Sequence, residues 1–265
     1  MPGAENNLTI LATWARDVVF AGGFLTRLPV ARLLPQADSA DTPRVLADVA
    51  WAFPLIGVIT GVIAAAALML SHSIGLHPLA SALIAVAAGI AVTGALHEDG
   101  LADLADGFGG GADTEAKLAI MRDSHVGTYG MLALVFSVGI RAAVLAGMPG
   151  AGTAAMSLIT AACVSRALMV GVMSNLPAAR EDGLGAAAGT PETGTFLTAL
   201  AVAAVAAFVL SGAVAWILLA AGGAAMVAVM ALAKRQIGGH TGDVLGATQQ
   251  VGEIAILLAA AAVSG

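Results

Sequence analysis

"HPLASALIAVAAGIAVTGALHEDGLADLADGFGGG", residues 77–111, joins an apolar run to a dense group of acids and then to glycines. Its first 20 residues carry no Asp, Glu, Lys or Arg, and about 20 apolar residues are enough for a helix to cross hydrocarbon. Glu98, Asp99, Asp103 and Asp106 then follow within nine residues. The stretch therefore puts a carboxylate cluster at the edge of a bilayer, and the rest of the chain repeats its apolar half.

The chain has 265 residues, 59% of them hydrophobic and 11% charged, with a mean hydropathy of +0.93. Soluble domains carry roughly 25% charged residues. The class expected is an all-α polytopic transmembrane bundle, a single integral membrane domain over residues 1–265. Apolar runs fall at about 51–71, 77–97, 126–148, 153–176, 195–211, 213–233 and 244–263, seven spans in all. The stretch 195–233 is about twice one crossing, so a break is expected near Ser211-Gly212. Gly57 and Gly61 form a GxxxG pair suited to close helix packing. There is no internal repeat of the kind that marks many transporters.

The first 30 residues differ. In "LTILATWARDVVFAGGFLTRLPV", Arg16, Asp17 and Arg27 interrupt the apolar pattern. An amphipathic in-plane or re-entrant helix is the preferred reading, with a plain span as the rival. "MPGAENNLTI" lacks a basic leader region, so no cleaved signal peptide is expected.

A net charge of −6 argues against nucleic acid as a partner. The lone Cys163 excludes a disulfide framework and a cysteine metal site. Lys and Arg sort between the loops. Loops 31–50, 98–125, 177–194 and 234–243 hold them, whereas 72–76, 149–152 and the 211–212 break hold none. By the positive-inside rule the charged loops face the cytoplasm. All the acid-rich loops then share that face.

On a helix, Asp99, Asp103 and Asp106 fall within roughly 60° of arc. Carboxylates so placed repel one another and suit a hard divalent cation such as Mg²⁺ or Mn²⁺. Glu98 begins the group. The interleaved Leu101, Ala102, Leu104 and Ala105 suggest a helix half embedded in a bundle. Gly107, Gly109, Gly110 and Gly111 follow, and glycines let backbone N–H groups approach a phosphate closely.

Other polar residues stand in apolar company. "IMRDSHVGTYG", 120–130, offers Arg122 for a phosphate and Asp123 as a ligand or base, with Gly127 and Gly130 permitting close approach. Asp123 or Ser124 as a helix cap is the structural alternative. Arg166 lies mid-run, where a charge marks a site or a buried pair. Arg141 is expected to snorkel outward and ranks below it. In "TGDVLGATQQVGE", Asp243 and Gln250 share a face, and Glu253 lies about ten residues into a span. Glu253 needs a partner, for which Arg166 is the candidate. Asp243 as a helix cap is again the alternative.

These motifs together resemble the cobalamin synthase family, the adenosylcobinamide-GDP ribazoletransferases. The resemblance runs over nearly the whole chain through "FLTRLPV" at 24–30, "FPLIGVITG" at 53–61, "HEDGLADLADGFGGG" at 97–111, "IMRDSHVGTYG", "SRALMV" at 165–170 and "TGDVLGATQQVGE" at 241–253. It implies a multi-pass inner-membrane enzyme with its active face in the cytoplasm. Such an enzyme uses Mg²⁺ to join adenosylcobinamide-GDP to α-ribazole, or to its 5′-phosphate, and releases GMP. Mapped onto that chemistry, Asp99, Asp103 and Asp106, with Glu98 ranked lower, would hold the metal and diphosphate. Asp123 or Asp243 would act as base, and Arg122 and Arg166 would bind phosphate oxygens. Gly107, Gly109, Gly110, Gly127, Gln250 and Glu253 would contact substrate. A homo-oligomer, or association with other cobalamin-assembly enzymes, is left open.

Two rivals remain at this point. A CDP-alcohol phosphotransferase also uses helix-borne aspartates and a metal, but Asp103 stands where its pattern expects Arg. A divalent-cation transporter would place acids in a bundle too, although usually near mid-membrane.

Overall fold

A bilayer interior offers backbone groups no partners, so apolar runs must close their hydrogen bonds within helices. The computed structural model describes residues 2–33 and 44–264, and the middle of the 31–50 loop lies outside them. The helices are α1 (Pro2–Leu25), α2 (Leu46–Val49), α3 (Phe53–Ser73), α4 (Pro78–Thr93), α5 (Leu96–Gly110), α6 (Thr114–Ile120) and α7 (Thr128–Ala146). They continue with α8 (Ala151–Asn175), α9 (Leu184–Ala187), α10 (Thr193–Ser211), α11 (Ala215–Ile237) and α12 (Gly242–Ser264). No β-strand occurs among the described residues.

Five helical stretches are long and apolar enough to cross a membrane, or six if α4 and α5 count as one bent span. One of the five, Thr193–Ile237, runs for 45 residues. It reverses at Gly212, which has a φ of 57°. Ala199 packs with Ala233 and Ile237 in one half of the core, while Ala203, Ala207, Ala215 and Leu218 pack in the other. The chain thus runs out and back, and Phe208 meets Trp216 edge-on across the turn at 4.9 Å. The break expected at 211–212 is there, and counting both arms gives six candidate crossings among the described residues, or seven if bent α4–α5 is one of them.

The central helix is α8, 89% of whose apolar window is buried inside the protein, against 22% for the α10–α11 hairpin. Gly57 and Gly61 seat α3 directly on it. A Cβ at Gly57 would strike the Ala162 carbonyl, and one at Gly61 would lie 2.8 Å from Ile159 Cα.

The second span does not run through 77–97 as the hydropathy suggests. Helix α4 stops at Thr93, and α5 leaves it at 91°. Gly94 and Ala95 turn the chain with φ of 65° and 60°. For Ala95 this left-handed conformation carries a steric cost. Apolarity marks where a chain can be buried, not where two left-handed residues bend it.

The Lys- and Arg-bearing loops gather at one end. Arg122 Nη2 holds Asp182 through two contacts of 2.6 and 2.8 Å. Ala178 and His240 form a backbone bridge, Ala47 N–H donates to Ala188 O at 2.8 Å, and Thr114 Oγ1 donates to Gln236 O at 3.2 Å. At the opposite end Thr160 meets Ser211 at 3.2 Å. The N-terminal α1 is not among the helices apolar enough to cross. Its Asp17 is buried, ion-paired with Arg44 and bonded by Trp51 Nε1 at 3.1 Å, so this carboxylate faces the protein while the neighbouring Arg16 is exposed.

Candidate active site

Helix α5 begins deep in the bundle and ends at the loop-bearing end, packed on α12 and α7. Gly100 allows the first contact, because a Cβ there would lie 3.0 Å from Asp243 Cα and 3.2 Å from Gly246 Cα. The close approach brings Asp99 and Asp243 to one wall of a cavity of about 750 Å³, with Arg180 beside them. Asp103 stands in the field of Asp99, Asp243 and Asp106. Three acids from two helices thus share one corner.

Asp243 does not cap its helix. Thr241 Oγ1 accepts the Val244 N–H at 3.3 Å and donates to Asp243 Oδ2 at 3.1 Å. The hydroxyl does the capping and leaves the carboxylate facing the cavity. Arg180 lies 3.9 Å from both Asp243 Oδ2 and Asp182 Oδ1, too far for hydrogen bonds. Its buried Nη1 has no partner. Sequence reasoning passed over Arg180 because it looks like any loop arginine beside a span. Its only signal is the adjoining "EDG", which turns the chain back.

Asp106 plays another part than the metal ligand expected. Its carboxylate accepts Gly127 N–H at 2.7 Å and Gly130 N–H at 2.9 Å, satisfying the first turn of α7 from another helix. Gly127 and Gly130 are glycines because a Cβ on either would hit that carboxylate. Gly107, Gly109 and Gly110 are not a phosphate loop either. They lie within α5, where Gly107 admits Met121, Gly109 the Tyr129 ring and Gly110 Ile120.

Glu98 points away from the aspartates into the bundle. Arg141 Nη2 donates to its Oε1 at 3.1 Å, and Arg141 Nη1 reaches Glu253 Oε1 at 3.3 Å. Arg141 is 4% exposed, so it does not snorkel outward, and it is Arg141 rather than Arg166 that touches Glu253. Arg166 Nη1 instead donates to Ala162 O at 2.9 Å, and its Nε has no partner. Gln250 bonds Glu98 and Ser137, and Gln249 bonds Glu253 and Ser165. This network lines a smaller polar cavity, and His97 lines both cavities.

Two expected site residues stand apart from the cavity. Arg122 is engaged with Asp182. Asp123 is exposed, and His125 bonds it through Nδ1 at 2.6 Å and through its backbone N–H at 3.0 Å. Those bonds hold Asp123 below the usual carboxylate range. Nearby, burial pushes the His240 imidazole below its usual value.

Among the described residues no three His, Cys, Asp or Glu side chains converge as a closed metal cage. Mg²⁺ does not require one, since it is held by one or two carboxylates together with waters and substrate phosphates. Asp99 and Asp103, one helical turn apart with Asp243 opposite, form an open set of hard oxygen donors whose mutual repulsion a cation would relieve. The donor set fits.

The fold and site define a polytopic helical membrane protein with an acid- and arginine-walled cavity at one end. A family model described as Cobalamin-5-phosphate synthase matches residues 17–261. The chain is 43% identical over 266 residues to the adenosylcobinamide-GDP ribazoletransferase of Bradyrhizobium diazoefficiens, covering 99% of this chain and 98% of the relative. It is 44% identical over 253 residues to that of Sinorhizobium medicae and 45% over 249 residues to that of Azorhizobium caulinodans. Each of these covers 91% of this chain and 94% of the relative. No solved structure matches. The chain belongs to the cobalamin-5-phosphate synthase family, which removes the phosphotransferase and transporter rivals.

Proposed function

We propose that this membrane transferase joins adenosylcobinamide-GDP to α-ribazole or its 5′-phosphate and releases GMP. The observation that supports it is the meeting of Asp99, Asp243 and Arg180 on one cavity wall, with Asp103 in their field. Transfer between phosphates is mainly a matter of positioning and of neutralising charge. A ribazole hydroxyl oxygen attacks the phosphorus linked to the corrinoid, and the bond from that phosphorus to the GMP oxygen breaks. Asp243 takes the hydroxyl proton, and GMP leaves with the bonding electron pair. Arg180, whose guanidinium lacks a close protein partner, holds the non-bridging oxygens. Asp99 and Asp103 would hold Mg²⁺, which when bound neutralises diphosphate charge. Asp123, outside the cavity, is the weaker of the two candidate bases.

The Lys- and Arg-bearing end is proposed to face the cytoplasm from the inner membrane. Reporters fused after Gly150 and after Gly194 should then read opposite sides. The chemical test is GMP release by purified protein in nanodiscs given adenosylcobinamide-GDP, α-ribazole and Mg²⁺. Release that needs all three supports the reading, and no release overturns it.

A further inference from the structure

The cavity behind the carboxylates has two unlike halves. One wall carries Asp99, Asp243 and Arg180, while Phe24, Phe53, Met169 and Met173 supply apolar surface from α1, α3 and α8. Phe53 and Met173 are each 1% exposed and Met169 is 3% exposed, so these three belong to the packed core, while Phe24 is half-buried. His97, 1% exposed, also lines the cavity, and its Nε2 has no partner in the protein. Such a pocket suits a ligand with a flat apolar body, one ring nitrogen and a polar end.

We propose that this cavity is the acceptor subsite. The benzimidazole base of the ribazole lies among Phe24, Phe53, Met169 and Met173, its ribose hydroxyl at the Asp99–Asp243 wall and its ring nitrogen toward His97. Aromatic faces and methionine sulfur both favour a flat π-system. Phe24, Phe53, Met169 and Met173 offer no hydrogen-bond partner, so among these side chains a guanine base would leave more polar edge atoms unpaired than a benzimidazole. The donor's diphosphate reaches the carboxylates from the open side of the cavity.

The assignment rests on the transferase reading, so its test includes a measurement that needs no turnover. Binding of α-ribazole to wild type in nanodiscs, followed by its benzimidazole fluorescence, should be displaced by free 5,6-dimethylbenzimidazole and not by guanosine. Met169→Ala and Met173→Ala should each weaken that binding about 10-fold, with Met173→Leu, which keeps the bulk and loses the sulfur, in between. In turnover the same variants should raise KM for the acceptor while leaving KM for adenosylcobinamide-GDP within about 2-fold. Displacement by guanosine, or a KM rise confined to the donor, overturns the subsite and leaves the transferase standing. Ribazole binding with no GMP release overturns the transferase and leaves the subsite standing. If the alanine variants fail to fold, the displacement series on wild type decides.

Discussion

Arg141 donates to Glu98 across 3.1 Å inside the bundle, tying the start of the acidic helix to a helix that begins 32 residues after it. Its other amino group reaches Glu253. One guanidinium therefore touches two carboxylates that are both buried.

Arg141→Met leaves both acids buried without that partner, a loss of about 3–5 kcal/mol. Thermal unfolding in nanodiscs should show a large fall in melting temperature, partly restored by Arg141→Lys. An unchanged melting temperature would contradict the pairing.

The aspartates of α5 should separate into two kinds. Asp106→Asn weakens the bond to the α7 backbone and should cost about 1 kcal/mol of stability, with Mg²⁺ dependence unaltered. Asp103→Asn removes a repelling charge, so stability should hold or rise while turnover falls on the order of 100-fold. Measuring melting temperature and GMP release on the same preparations distinguishes them. Equal behaviour in both assays would defeat the division.

Arg180→Ala should cut kcat/KM for adenosylcobinamide-GDP on the order of 100-fold. Arg180→Lys should recover part of that, because it keeps the charge and loses the fork. A loss of folded protein instead would make Arg180 a structural residue.

Stability should also depend on pH through His240. Burial holds its folded-state pKa below the usual value, so the unfolded chain binds the proton more readily. Stability is then full above about pH 6.5 and declines as pH drops below it. Melting curves between pH 7.5 and pH 5.5, values chosen to bracket that ordinary imidazole pKa, should show wild type losing stability relative to His240→Gln as pH falls.

Much of this protein can be read from its letters. Hydropathy marked the apolar helices but not the bend at Gly94-Ala95, and the uneven spread of Lys and Arg marked the end where the loops meet. The acidic segment marked α5 as the place of interest. What hydropathy could not supply was direction. Glu98 and Asp99 are neighbours in the chain, yet 100° of helical rotation sends one to Arg141 and the other to the cavity. Asp106 shares an arc with Asp99 but lies two turns on, within reach of the α7 backbone. The glycines after it imitate a phosphate loop because both uses exploit a missing side chain. Here the guests are Met121, Tyr129 and Ile120. Arg141 was misjudged because its depth depends on where α7 starts, and its partners come from segments far away in sequence.

The far end of the bundle has a consequence for how the protein is made. Residues 74–77, 147–150 and 212–214 join α3 to α4, α7 to α8 and α10 to α11 by tight reversals. Each pair can enter the bilayer as a folded-over unit with almost nothing polar to drag through. In the orientation proposed above, the bulky, acid-bearing segments never have to be translocated, and the end that carries the acidic cavity is completed on the side where the ribosome delivers it.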